Sequence, residues 1–352
     1  MFMTLITLIA GGTGGHVFPA IALGEEIEKY GKVKFITDQR TLHLFYEESD
    51  VQCISCRRPS ECFWFFISIA INFFKFFIMF LKNRPKVVCG FGGYVSFSGI
   101  IAAWFLRIPT VIHEQNKQAG RVNRFLSIFA TKTTTAFYET FGLKKKSIHV
   151  GMPIRNCIKE SAKLSKQKKD KESISLLITG GSQGASIFSK IIPEAITMLS
   201  QDIKNKLTVY HQVRREDIFS VELLYQSNKL NYFELSPFFK NINEIYSNVD
   251  IVISRAGASS LFEAVEHKKP SIVIPFSLSK DNHQSKNASF FKNKDAIWVF
   301  DECDVNASEI SNLLEGVFLD KSIINEKREN MLKIYEKKPS YCLVSIVKDL
   351  IQ

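Results

Sequence analysis

The chain has 352 residues and a formal net charge of +11, from 46 Lys and Arg against 35 Asp and Glu. This length predicts about two domains, and the 45% hydrophobic and 23% charged fractions exclude a disordered or fibrous protein. The seven cysteines are odd in number and irregularly spaced, which argues against a disulfide framework and for a reducing compartment.

The basic excess is typical of proteins that bind a phosphorylated ligand, an anionic membrane surface or a nucleic acid. The sequence contains no zinc finger and no RNA-binding aromatic motif, so we expect no nucleic-acid partner. Cys53 and Cys56 form a C-x-x-C pair, but no second Cys or His pair follows at zinc spacing. We therefore predict no metal site.

Short apolar runs alternate with helix-period segments in the first half of the chain, which predicts a parallel sheet with crossover helices. We interpret the apolar N-terminal run as a buried strand, because no basic region precedes it as in an export signal. Helices are predicted at Ala20–Tyr30 and Val95–Leu106. The predicted strands are Leu5–Ala10, Val33–Thr37, Val51–Ile54, Lys86–Cys89, Thr110–His113 and Thr131–Thr135.

The segment 63–82 is a helix-period run with eight phenylalanines. It is long enough to span a bilayer, but its polar residues fall on one narrow stripe of a helix, namely Ser68, Asn72, Lys75 and Lys82. Such a stripe favours a helix that lies in a membrane interface, and we expect the lipid to take up Phe73, Phe76 and Phe77. The alternatives are a helix buried between a sheet and its neighbour, and a true span.

Residues 156–172 contain six lysines and almost no apolar face, and we interpret them as an exposed linker. The strand pattern then resumes at Ile174–Thr179, Leu207–His211, Tyr232–Leu235, Ile251–Ser254, Ser271–Ile274 and Ala296–Phe300. We therefore predict two doubly wound α/β domains, at 1–155 and 173–337, with a short C-terminal helix that packs on one of them.

A glycine-rich loop follows the first predicted strand of each domain. Gly12–Gly15 precede His16 in the first domain, and Gly180–Gly184 occupy the same place in the second. Glycines let the backbone approach a ligand closely, and the N-terminus of the next helix favours an anion. The spacing matches neither the dinucleotide fingerprint nor the P-loop. The loops thus predict a phosphate-type ligand other than NAD or ATP, with a mere tight turn as the alternative for each loop alone.

Polar residues follow three other predicted strands. In the turn 254–263, Ser259 or Ser260 could cap the next helix. Glu263 could complement the helix dipole or accept hydrogen bonds from the two hydroxyls of a ribose. The clusters 113–116 and 281–284 are further candidates, because polar residues at strand ends are often functional.

The order of these motifs along the chain resembles that of the MurG family, the UDP-N-acetylglucosamine transferases that act on undecaprenyl-pyrophosphoryl-MurNAc-pentapeptide. The resemblance runs from about residue 9 to 295 and rests on GGTGGHVFPA, FGGYVS, HEQN, the G-x-P-x-R of Gly151–Arg155, GGSQGA, SRAGASSLFE and KDNHQ. It implies an α/β GT-B fold, in which two Rossmann-like doubly wound domains face each other across a cleft. It also implies that a C-terminal helix, at about 338–352, packs back on the N-terminal domain.

The resemblance implies an inverting transfer of GlcNAc to the MurNAc 4-hydroxyl, the step from lipid I to lipid II in peptidoglycan biosynthesis. His16 is the implied general base, with His113 and Glu114 as the reserve base and its orienting partner. Orientation of the glycine loop is the alternative role for His16. The implied UDP-GlcNAc ligands are Thr13, Gly14, Gly15, Asn116, Arg155, Ser182, Ala258, Ser259, Ser260, Leu261, Phe262, Glu263 and Gln284. The implied acceptor-diphosphate ligands are Gly12, Thr13, Gly14 and Gly15. This sequence departs from the family at His283, where a Gln is common, and in AGASS, where the family has SGALT.

The resemblance further implies a peripheral membrane protein at the cytoplasmic face of the bacterial inner membrane. Its implied partners are UDP-GlcNAc, lipid I, anionic lipid at the 63–82 helix, and cell-wall synthesis or division proteins. No obligatory cofactor is expected, because helix N-termini and Arg155 or Arg255 would stabilise the leaving UDP. A divalent ion bound through the UDP is compatible with this. The competing hypotheses are a UDP-sugar epimerase of the same fold, which needs no Phe-rich helix, and a non-catalytic membrane scaffold that keeps UDP binding.

Overall fold

The structure is a computed structural model that describes residues 4–45, 49–56, 62–164, 173–181, 184–337 and 339–352. The described residues form two compact units. One comprises the chain up to Asn156 together with the C-terminal segment from 339 onward, and the other comprises Cys157–Lys337.

The first unit is built on a seven-stranded parallel sheet of order β3-β2-β1-β4-β5-β6-β7. The residues of its first strand are almost all buried, because helices cover both faces of such a sheet. Its strands are β1 (Leu5–Ile9), β2 (Lys32–Thr37), β3 (Val51–Cys53), β4 (Val87–Gly90), β5 (Thr110–Glu114), β6 (Lys132–Thr135) and β7 (Ile148–His149). The helices between them are α1 (Gly14–Ile27), α2 (Cys62–Lys82), α3 (Tyr94–Phe105) and α4 (Arg121–Leu126).

The second unit is built on a six-stranded parallel sheet of order β10-β9-β8-β11-β12-β13. Its strands are β8 (Ile174–Thr179), β9 (Leu207–Gln212), β10 (Tyr232–Ser236), β11 (Ile251–Ser254), β12 (Ser271–Val273) and β13 (Ile297–Val299). Its helices are α5 (Asn156–Leu164), α6 (Ser186–Met198), α7 (Gln201–Lys204), α8 (Ile218–Ser227), α9 (Ile242–Asn248), α10 (Ala258–Glu266), α11 (His283–Lys292), α12 (Ala307–Leu319) and α13 (Ser322–Glu336).

The last helix, α14 (Leu343–Ile351), belongs to the first unit. Its residues Leu343, Ile346 and Val347 are buried in the same apolar cluster as Ile6 and Leu8 of β1. The chain therefore returns to its first unit at its end, as the family resemblance implies.

The prediction of two doubly wound α/β sheets is confirmed, with two differences. The two-residue strand β7 was not predicted, because so short and half-buried a run has little apolar pattern. The exposed linker predicted over 156–172 is wrong for 156–164, which form α5. Ile158 of this helix is buried and Ser161 is bonded to His267, while 165–172 lie outside the described residues.

Helix α2 has one buried and one exposed face, so the prediction for its phenylalanines is partly wrong. Phe76 is 0% exposed and lies in a core cluster with Ile100 of α3. Asn72 of the predicted polar stripe is also buried, and its amide donates to Ser55 O at 2.9 Å. The stripe therefore faces the protein at Asn72, whereas Lys75 and Lys82 are exposed at its edge.

Candidate active site

The predicted loops lie where ligands bind in sheets of this kind. In each unit the strand order reverses beside the first strand, between β1 and β4 and between β8 and β11. Ligands bind at the carboxyl ends of the strands at such a switch point. Residues 10–13 follow β1 and the loop 91–93 follows β4, while 180–181 follow β8 and 255–257 follow β11.

His16 lies in the first turn of α1 with its ring held by the glycine loop. Its Nδ1 lies 2.8 Å from Gly11 O. Because a carbonyl oxygen can only accept, Nδ1 carries the hydrogen and Nε2 is the basic nitrogen of the neutral ring. The ring is half-buried, so it combines a fixed orientation with access to solvent.

The loop 91–93 packs directly against His16 and requires glycine at two positions. Gly92 has a φ of +106°, and a Cβ there would lie 2.9 Å from the His16 ring. Gly93 has a φ of +79°, and its Cβ would lie 2.5 Å from Gly11 O. These glycines are not among the predicted site residues, although a Gly-Gly pair at the end of a buried strand is a signal that could have identified them.

His113 and Glu114 are buried at the end of β5 and do not face a ligand surface. Burial lowers the pKa of His113 to about 3, and its Nδ1 is bonded to Thr134 Oγ1 at 3.1 Å. Glu114 accepts from Asn116 N through Oε1 at 2.9 Å and from Gly120 N through Oε2 at 3.0 Å. Burial of both side chains argues against a reserve base at this pair, and Glu114 organises the loop that carries Asn116.

Arg155 is placed against the helix that begins at the glycine loop. Its guanidinium carbon lies 4.1 Å from the centre of the Phe18 ring, a cation–π arrangement. Phe18 is two residues after His16 on α1, so the contact brings the G-x-P-x-R segment to the N-terminal half of that helix.

In the second unit, α10 begins directly after β11. Its N-cap is Gly257, and no side chain caps it, so the predicted cap by Ser259 or Ser260 is wrong. Both serines lie inside the first turn, and Glu263 follows in the second with 6% of its surface exposed. Ser182, another implied UDP-GlcNAc ligand, lies outside the described residues. Among the described residues, no group of three His, Cys, Asp or Glu could hold a metal ion.

The other predicted residues of the second unit are held by hydrogen bonds. Gln284 Oε1 accepts from the backbone N–H of Phe276 at 2.9 Å. The Nδ1 of His283 donates to Lys280 O at 2.8 Å. Arg255 donates to Glu302 and to Ile274 O, so the charge expected to stabilise a leaving UDP is compensated within its own unit.

Comparisons with known proteins agree with the division into two α/β domains. The glycosyltransferase family 28 N-terminal domain matches residues 6–135, and the C-terminal domain of the same family matches residues 175–340. A Rickettsia bellii protein named UDP-N-acetylglucosamine--N-acetylmuramyl-(pentapeptide) pyrophosphoryl-undecaprenol N-acetylglucosamine transferase is 36% identical over 99% of this chain and 100% of its own. The crystal structure of Acinetobacter baumannii MurG matches with a TM-score of 0.76 and 25% identity over 99% of both chains.

A more distant match indicates the fold alone. UDP-GlcNAc 2-epimerase from Neisseria meningitidis, solved with UDP-GlcNAc, has a TM-score of 0.69 at 13% identity over 99% of each chain. The structural matches and the two doubly wound sheets confirm the predicted GT-B fold class. Because both domain models match and the bacterial relative aligns over its whole length, this chain belongs to glycosyltransferase family 28 and, within it, to the MurG family.

Proposed function

We propose that this protein transfers GlcNAc from UDP-GlcNAc to the MurNAc 4-hydroxyl of undecaprenyl-pyrophosphoryl-MurNAc-pentapeptide, with inversion at the anomeric carbon. The full-length similarity to transferases named for this reaction carries the proposal. The orientation of His16 and the glycine loops at the switch point of the first sheet support it.

His16 acts as the general base. Its Nε2 takes the proton of the 4-hydroxyl as that oxygen attacks the anomeric carbon and the bond to UDP breaks. The Nδ1–H to Gly11 O bond keeps the ring in the required tautomer and stabilises the imidazolium that forms. A base placed in this way contributes about 10²–10⁴-fold to the rate.

The donor is held mainly by the second unit. The uncapped N-terminus of α10 offers backbone N–H groups and the positive end of its dipole to the pyrophosphate. Glu263 accepts hydrogen bonds from the two ribose hydroxyls, and Ser182 adds a hydroxyl at the glycine loop. These interactions stabilise charge on the departing UDP, and an ion bound through the UDP would add to them.

The acceptor diphosphate is bound at the N-terminus of α1. Gly12 has a φ of +93° and Thr13 is exposed, so the loop presents backbone to a ligand. The guanidinium of Arg155 on Phe18 adds a positive charge to this helix. This charge lies in the same unit as His16, the proposed base for the acceptor hydroxyl.

We also propose peripheral attachment to the cytoplasmic face of the inner membrane through α2. Among the described residues, this helix alone is long and apolar enough to cross a bilayer. One face is instead packed in the core, and the other exposes Trp64, Phe66, Ile71, Phe74, Ile78 and Leu81. A helix with one face packed in the protein core and an apolar face exposed is suited to lie in the membrane interface rather than to span the bilayer.

The apolar surface continues beyond α2 and has basic residues at its edge. The rings of Phe73 and Phe105 are 5.6 Å apart, which joins α2 to the exposed aromatic end of α3. Lys75 and Lys82 line a cavity of about 510 Å³ beside α2. Lysines next to an exposed apolar face suit anionic lipid headgroups, each adding about 1 kcal/mol near such a surface.

The transfer assay tests the proposed function. Purified protein is incubated with UDP-GlcNAc and a short-chain lipid I analogue, and the expected products are UDP and a disaccharide-bearing lipid. In the same assay, His16→Ala is expected to lower kcat by at least about 10²-fold while calorimetric binding of UDP-GlcNAc persists. Epimerisation of UDP-GlcNAc without an acceptor would contradict the proposal in favour of the epimerase, and near-normal turnover of His16→Ala would contradict the role of the base.

A further inference from the structure

Glu302 follows β13, and its carboxylate bridges the ends of two other strands of the same sheet. Oε1 accepts a hydrogen bond from Nη2 of Arg255, which follows β11. Oε2 accepts from the backbone N–H and from the hydroxyl of Ser277, which follows β12, at 2.7 and 2.8 Å. One carboxylate thus connects three loops at the carboxyl edge of the second sheet, where the donor is proposed to bind.

Arg255 is held in place by further contacts. Its Nη1 donates to Ile274 O at 3.1 Å. The rings of Phe188 and Phe276 lie 5.4 and 5.2 Å from its guanidinium carbon. Only 12% of the Arg255 side chain is exposed, so the ion pair with Glu302 is an internal connection rather than a surface pair.

The Glu302 carboxylate is charged at neutral pH. Burial raises its pKa, but the hydrogen bonds from Arg255 and Ser277 outweigh burial and lower the pKa below its ordinary value. Hydrogen bonds to a charged group are stronger than those between neutral groups. Replacement by a neutral group of the same shape therefore weakens all of the contacts at once.

The loop 276–277, which is hydrogen-bonded to Glu302, also fixes the orientation of the Gln284 side-chain amide. Gln284 Oε1 accepts from the N–H of Phe276, the residue before Ser277. Because a backbone N–H can only donate, Oε1 faces the loop, and Nε2 is the end of the amide that can donate to a ligand. The consecutive backbone N–H groups of residues 276 and 277 thus donate to Gln284 and to Glu302, respectively.

The segment between β12 and α11 also contains two residues with an uncommon backbone conformation. Asp281 and Asn282 have left-handed φ values of 53° and 54°. Non-glycine residues keep such conformations only where surrounding interactions hold them. Both lie directly before His283 and Gln284 at the start of α11.

We infer that Glu302 is a positioning residue for recognition of the donor sugar. It holds Arg255 and the backbone at 276–277 so that Gln284 presents its amide Nε2 to a hydroxyl oxygen of the hexosamine. This inference deepens the proposed function and rests on it. Glu302 itself does not touch the sugar, so its removal is expected to affect donor affinity and choice of sugar more than the proton transfer at His16.

Glu302→Gln tests the inference, with Asp295→Asn as the matched control. Asp295 also pairs with a largely buried cation of the second unit, Lys327, but it follows the C-terminal end of α11, whereas Gln284 lies at the start of that helix. Calorimetric Kd values are measured for UDP-GlcNAc and for UDP-N-acetylgalactosamine, which differs at one hydroxyl. Donor and acceptor KM, kcat and Tm are measured in parallel. Ser277→Ala, which removes one of the bonds to Glu302, provides a second, milder variant.

For Glu302→Gln we expect at least about a tenfold rise in donor Kd and KM, since hydrogen bonds to a charged group are lost. The preference for UDP-GlcNAc should fall, while acceptor KM stays at the wild-type value. Ser277→Ala should shift the same quantities less, and Asp295→Asn should leave them unchanged. Wild-type donor affinity and preference in both Glu302→Gln and Ser277→Ala would overturn the inference, as would equal effects of Asp295→Asn. Failure of the wild-type protein to bind UDP-GlcNAc at all would instead overturn the proposed function, and this inference with it.

Discussion

Gly92 shows how a residue without a side chain can control the proposed base. Any Cβ at this position would lie 2.9 Å from the His16 ring. We expect Gly92→Ala to displace the ring from its bond with Gly11 O and to lower kcat by about 10²-fold, as small misplacements of reacting groups do. Donor Kd, measured by calorimetry, should change much less than kcat, because the donor is proposed to be held mainly by the other unit.

Gly316→Ala is the matched control for Gly92→Ala. Gly316 lies inside α12, and no atom lies within 4 Å of its added Cβ. We expect wild-type kcat and a free energy of unfolding raised by about 0.5–1 kcal/mol, because Ala is the better helix former. If Gly92→Ala retained wild-type kcat, the close approach of the two loops would have no role in catalysis.

Glu263 provides a separate test of the donor site. We expect Glu263→Ala to raise donor KM strongly and to leave acceptor KM unchanged, because the lost contacts are to the ribose. Unpaired buried polar groups left behind cost about 1–3 kcal/mol, which corresponds to at least about a fivefold change in donor KM. Steady-state kinetics with each substrate varied in turn measure both constants, and an unchanged donor KM would refute the ribose role.

Helix α2 is a single element with two roles, since one face builds the core and the other is proposed to meet lipid. We expect replacement of Phe66, Phe74 and Leu81 by Ser to release the protein from anionic vesicles without unfolding it, because these side chains are 68%, 60% and 59% exposed. Cosedimentation with phosphatidylglycerol vesicles measures binding, which should weaken but persist at high salt because only its electrostatic part is screened.

Two variants separate membrane binding from folding. Phe219→Ser with Leu223→Ser removes exposed apolar side chains from α8 of the other unit and should leave vesicle binding unchanged. Phe76→Ser removes a ring that is 0% exposed and should lower the free energy of unfolding by about 3–5 kcal/mol. Carbonate-resistant integration of the wild-type protein would show that α2 spans the bilayer instead.

The folded molecule as a whole is predicted to lose stability in mild acid because of its buried histidines. Burial lowers the pKa of His113 and of His211 to about 3 and that of His267 to about 4. Below pH 6.5 the unfolded chain binds protons that the folded one does not, so the free energy of unfolding falls as pH falls. Each histidine contributes about 1.4 kcal/mol per pH unit over the interval between its two pKa values.

Urea unfolding at pH 7, 6 and 5, followed by circular dichroism, measures this dependence. His211→Phe removes one such group, whose Nδ1 is bonded to Tyr225 at 2.9 Å. Its unfolding free energy should therefore fall less steeply between pH 6 and 5, by about 1.4 kcal/mol per unit. An unchanged slope would mean that His211 takes up protons equally in both states.

The amino-acid sequence alone determined the two doubly wound sheets and the loops at their strand ends. All of the predicted strands were found to within two residues, because hydrophobic alternation, β-branched runs and glycine turns are local properties. The same locality placed His16 and Gln284 near the carboxyl ends of strands, since each lies in the first turn of a helix that follows a strand.

Only the tertiary structure decided which of these residues are buried and which are bonded to one another. Phe74 and Phe76 are the same residue type two positions apart, and packing against α3 makes one exposed and the other core. His113 and Glu114 are as polar as His16, but both are buried at the end of β5, where His113 is hydrogen-bonded to Thr134 of β6. Gly92 packs against His16 although 76 positions separate them in the sequence, and Arg255 pairs with Glu302 although 47 positions separate them. Burial and pairing of this kind depend on residues that are distant in sequence. A local pattern of side chains carries no information about such residues.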